Sequence, residues 1–83
     1  MDAQQGPLPA ISFEVISRHE FEDKPVCLVV EIRMDRQING YAGSPIYVQL
    51  PKPCKDESAF IRQRVAWKVK QETGLSVPES HIQ

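Results

Sequence analysis

Cysteine, histidine, glycine and tryptophan are all scarce in this chain, and each scarcity removes a class of function. Two cysteines, Cys27 and Cys54, occur among 83 residues, too few for a disulfide-rich secreted scaffold. With His19 and His81 they are scattered singly, without the paired spacing that marks a zinc site, so no metal is expected. Of the four glycines, Gly40 and Gly43 flank Tyr41-Ala42 without the lysine and helix start that a phosphate loop requires, and no cofactor is expected. No apolar run approaches the ~18 residues of a transmembrane helix. The opening ten residues lack the basic start and apolar stretch of a secretory signal, so the expected location is cytoplasmic, with no membrane partner. A large excess of charge of one sign is missing too. The formal net charge of −1 argues against a surface built wholly to attract nucleic acid or anionic lipid.

What remains is ordinary globular composition, 41% hydrophobic and 25% charged, in a chain with room for one core. With Gly6, Pro7 and Pro9, residues 1–10 are expected to form a flexible arm. A single α+β domain is expected over 11–78, with 79–83 as a tail.

Alternation organises the first half of the domain. Ile11, Phe13, Val15 and Phe21 share one parity, with Ile16 breaking the rule, and read as a half-buried strand. Glu22-Asp23-Lys24-Pro25 reads as a turn. Val26, Leu28, Val30, Ile32 and Met34 then alternate with Cys27, Val29, Glu31 and Arg33, and their β-branched density suits a central strand. Between Asp35 and Pro45 two readings stand, an open loop or a small hairpin turning at Asn39-Gly40. Ile46 to Leu50 restores the alternation as a third strand, and Pro51 and Pro53 end it.

The second half is helical. Asp56 is the expected N-cap, Glu57 complements the positive end of the helix dipole, and Gly74 stands where a C-terminal stop belongs. The expected fold is therefore α+β in the order β-β-β-α: a three-stranded antiparallel meander, with or without the small hairpin, packed on one C-terminal helix. This order resembles part of the double-stranded-RNA-binding fold. The first helix of that fold is missing, however, and Asp56-Glu57-Ser58 stands where its last helix opens with basic and alanine residues. We assign no family.

On a wheel of about 100° per residue, Ile61, Val65 and Val69 form a stripe flanked by Ala59 and Ala66. It faces a sheet surface of Phe13, Val15, Leu28, Val30, Ile32, Val48 and Leu50. Phe60 and Trp67 lie on another side, two turns apart, with Gln63, Arg64 and Gln71 around them. In a two-layer domain a second stripe has nothing of its own to cover. Three readings compete for it. The arm or the Asp35 to Pro45 loop covers it; or Phe60, Arg64, Trp67 and Gln71 bind a protein partner or a second copy; or the helix binds nucleic acid, with Arg62, Arg64, Lys68 and Lys70 on phosphates. Residues 52–70 carry six basic against two acidic side chains, and residues 1–50 four against seven. That asymmetry supports the last reading weakly, because a solvated helix face looks the same.

No catalytic constellation emerges. Cys27 falls inside an apolar strand, His81 in the tail, and the acids Glu20, Glu22 and Asp23 around a turn, which is ordinary solvated surface. The expected function is that of a small non-enzymatic module binding a protein partner or itself, with nucleic-acid binding as the alternative.

Overall fold

The segment with the clearest alternation became the middle of the sheet. The computed structural model describes residues 8–83, and three antiparallel strands lie in the order β1 (Ile11–His19), β2 (Val26–Met34), β3 (Pro45–Leu50). Helix α1 (Glu57–Thr73) follows. This is the β-β-β-α arrangement expected. The even-numbered residues of β2, Val26 to Ile32, are all buried, as are Val48 and Leu50 on β3 and Ile61, Val65 and Val69 on α1. One helical stripe thus covers one sheet face, which is how a two-layer domain buries both.

Strand β1 departs from simple alternation. Val15 opposes Val30, but Ser17 opposes Val29, leaving Ile16 as the extra residue of a β-bulge. A bulge reverses the parity of everything after it. Arg18 therefore opposes Leu28 and falls on the helix side, while Ser17 and His19 join the outer face. One core expectation and one strand boundary are corrected here. Val15, beside the bulge, is 40% exposed, and Phe21, past the end of the strand, is 51% exposed.

The Asn39-Gly40 hairpin is present. Ile38 and Tyr41 exchange backbone hydrogen bonds of 2.9 and 3.0 Å, and both turn residues have positive φ, 53° and 82°, as the tight primed turns require. The hairpin is anchored at both ends. Tyr41 enters the core, and Asn39 Nδ2 donates to the Thr73 carbonyl at 2.8 Å, taking up one of the carbonyls left open at the end of α1. The helix is closed by the expected caps. Asp56 accepts from the Ala59 amide at 3.1 Å, and Gly74, at φ 82°, donates to Lys70 at 2.8 Å.

After the helix, Val77 and Ile82 enter the core around a short 3₁₀ turn, Glu79–His81. Gln83 donates its amide to the Ile11 carbonyl at 2.9 Å, and Arg62 Nε donates to the Ile82 carbonyl at 3.1 Å. His81 Nε2 donates to the carbonyl of Pro9 at 2.9 Å. The arm expected over residues 1–10 lies outside the described residues as far as residue 7. Of its last three, Leu8 packs on the core and Pro9 is buried. Among the described residues no helix is long and apolar enough to cross a membrane.

Candidate interaction site

Helix α1 keeps its second stripe. Phe60 is half-buried against the rim of the core, whereas Trp67 remains 49% exposed. The guanidinium of Arg64 lies 4.9 Å from the Trp67 ring centroid. An indole face attracts a cation through its quadrupole, so the contact favours this arrangement of the two side chains along the helix. Among the described residues Arg64 forms no ion pair with a carboxylate. Gln71 is exposed one turn beyond Trp67. The four residues singled out for partner binding, Phe60, Arg64, Trp67 and Gln71, therefore share one side of the helix.

The stripe runs beside an open strand edge. A cleft is lined by Tyr47 and Gln49 of β3 together with Phe60 and Arg64 of α1. Tyr47 is 83% exposed, the largest apolar exposure among the described residues. The ladder to β2 fixes which backbone groups of β3 are used. Ile32 and Met34 donate to the carbonyls of Ser44 and Ala42. In the same register the even-numbered residues of β3 bond to β2, and the odd-numbered ones point away. Tyr47 and Gln49 thus direct their N–H and C=O groups outward. Pro45 directs only a carbonyl, having no N–H. That a three-stranded meander leaves two sheet edges open is implied by the sequence; that Tyr47, an aromatic at the outward position of a short strand, lines one of them is not.

The four basic residues proposed for phosphates fall on two flanks of α1, Arg64 and Lys68 one turn apart on one and Arg62 and Lys70 on the other. Arg62 and Arg64 are about 160° apart around the helix, and Arg62 is engaged by the Ile82 carbonyl on the flank facing the C-terminal segment. Lys68 pairs with Glu72 at 3.0 Å, and Lys70 Nζ donates to Ser76 Oγ at 2.7 Å. The basic excess is real in the sequence but is spread over separate flanks.

The outer sheet face, uncovered by any helix, carries its own polar order. Glu14 lies directly opposite Glu31, a like-charge pairing that is unfavourable on a strand surface. Arg33 answers it, with Nη2 at 2.8 Å from Glu14 and 2.9 Å from Glu31. Both contacts raise its pKa, the hydrogen bond to Glu31 most. The bulge also sets His19 opposite Cys27, a juxtaposition the sequence did not suggest. The histidine Nε2 hydrogen-bonds Ser17 Oγ at 3.1 Å, and the Cys27 thiol is directed at the Pro25 carbonyl at 3.8 Å. The two do not hydrogen-bond each other. Cys27 and Cys54 are both free, and no group of three metal-ligating side chains occurs among the described residues. No protein-family model, curated protein or solved structure matches this chain.

Proposed function

We propose that this domain is a non-enzymatic interaction module that binds another protein through the α1 face carrying Phe60, Arg64, Trp67 and Gln71. The observation that carries the reading is Trp67, half exposed and stacked by an arginine that has no carboxylate partner among the described residues. Tryptophan and arginine are the residue types that dominate contact energies at protein interfaces. A stacked pair has given up part of its side-chain freedom before a partner arrives. The split of the four cations between two flanks, with Arg62, Lys68 and Lys70 already engaged by Ile82, Glu72 and Ser76, favours a protein over nucleic acid, since phosphate binding gains from cations aligned along one groove. A reducing, cytoplasmic setting suits two thiols that stay unbridged.

The test is Trp67 fluorescence with iodide quenching across a range of protein concentrations, paired with titrations of mixed-sequence RNA and DNA at low and high salt. An emission that stays red-shifted and quenchable at every concentration, with no nucleic-acid binding at low salt, is the expected result. Binding to nucleic acid that falls steeply with salt would replace this reading with the counterion-release one. Emission already blue-shifted and protected at every dilution would mean that the stripe is core.

A further inference from the structure

We infer that the outward edge of β3 accepts an extended peptide segment of a partner protein as a fourth strand, with an acidic side chain of that segment meeting Arg64. The inference rests on the α1 face as the contact surface and names what binds there. A strand edge presents alternating donors and acceptors that only another extended backbone can satisfy in series. On β3 the outward groups are the N–H and C=O of Tyr47 and Gln49 and the C=O of Pro45. Pro45 supplies no donor at one end, and Pro51 follows the strand at the other. The prolines limit pairing to a short window and oppose the indefinite edge-to-edge growth that open strands invite.

The edge of β1 is unlike it. Its Ile11 carbonyl is already taken by the Gln83 amide, and the bulge at Ile16 breaks its run. β3 has no bulge in its pairing with β2, and it has α1 beside it. Side chains of an added strand alternate between faces. Those opposite Tyr47 and Gln49 fall on the outer face. Those opposite Val48 fall on the helix side, where Phe60 and Arg64 line the cleft. One apolar and one acidic residue, two positions apart, match that pair. A second copy of this chain fits less well. Pairing of two β3 strands about a dyad puts both helices on one side, with the basic Arg64 face of each turned toward the other.

The experiment uses blocked short peptides of alternating threonine and valine with one valine replaced by glutamate, and the same peptides with glutamine there. The readouts are the backbone amide resonances and hydrogen exchange of the whole chain, together with Trp67 fluorescence. In the free protein the amides of Tyr47 and Gln49 exchange faster than those of Ile46, Val48 and Leu50. Millimolar glutamate peptide slows the first two, and it binds roughly two- to fivefold tighter than the glutamine peptide, as one exposed ion pair allows. Arg64→Gln abolishes that preference. Gln49→Pro removes an outward donor and leaves the β2 ladder intact, and it weakens both peptides.

Several results would overturn the inference. If Trp67 fluorescence responds to peptide while the Tyr47 and Gln49 amides do not, the helix face binds but the edge does not. If neither responds, the edge takes no added strand and this inference fails, while the α1 reading is judged by its own quenching test. Protection of the two amides in the protein alone, lost on dilution, would assign the edge to a second copy. Equal binding of the two peptides by the unmodified chain would remove the role of Arg64.

Discussion

Arg18 donates two parallel hydrogen bonds to Glu57, Nη1 to Oε1 at 2.9 Å and Nη2 to Oε2 at 3.1 Å, and so ties the end of β1 to the first turn of α1. Its Nε also reaches Glu20, at 2.7 Å. The contact exists because the bulge at Ile16 turns Arg18 to the helix side. The guanidinium holds the Glu57 carboxyl below its ordinary range, and the two carboxylates raise the arginine in return, the hydrogen bond to Glu57 most.

That shift makes stability depend on pH in a definite direction. A carboxyl whose pKa is lower in the folded chain contributes stability above its unfolded value of ~4.3. The contribution is lost as pH falls through the folded value. Because the pair is solvent-exposed, the effect is small. Glu57→Gln therefore lowers the melting temperature slightly at neutral pH and in low salt. The gap from the unmodified chain narrows as pH falls below the ordinary glutamate range, and it also narrows in high salt. Melting curves over a pH series check both; a gap that stays constant with pH would place its cause elsewhere.

Gly43 is held where no other residue fits. Its φ is 116°, and a Cβ there would collide with the Ile32 carbonyl. Gly40, at φ 82°, has open space around its missing Cβ. Gly43→Ala should destabilise the domain by roughly 2–3 kcal/mol, combining collision with backbone strain. Gly40→Ala should cost about 1 kcal/mol, the left-handed conformation alone. Urea unfolding of the two variants measures the difference, and equal values would contradict the close approach at Gly43.

Ile82 tests whether the C-terminal segment belongs to the core. It is 2% exposed, and Ile82→Ala should lose about 2 kcal/mol, the lower end for a buried aliphatic truncation. A frayed segment would show almost no loss. Chemical denaturation decides between them.

Trp67→Ala separates interface from core. A half-exposed aromatic on the outer side of α1 supports little of the packing, so unfolding stability should change by less than about 1 kcal/mol. A loss of ~3 kcal/mol or more, the cost of truncating a core tryptophan, would mean that the stripe is buried in solution.

Strand β2, the cap residue Asp56 and the stop at Gly74 are legible in the sequence because each depends on neighbours along the chain. Alternating β-branched residues, a carboxylate three positions before an unpaired amide, and a glycine at a left-handed position are local physics. The stripe of Phe60 and Trp67 was legible for the same reason, since helical periodicity alone separates it from Ile61, Val65 and Val69. The bulge was only half legible. Ile16 broke the alternation, but whether a strand absorbs an extra residue is decided by the register of the strand beside it. The clamp from Arg18 to Glu57, and His19 facing Cys27, follow from that register.

Alternation and capping by themselves determined the order of the three strands and the helix, the two ends of that helix, and which helix face carries the second aromatic stripe. Tertiary structure alone decided that Ile82 is core, that Asn39 reaches the Thr73 carbonyl, and that Phe60 and Arg64 stand beside the open edge of β3. These contacts join residues far apart in the chain, and their formation rests on how layers pack and strands pair, information that no local pattern contains.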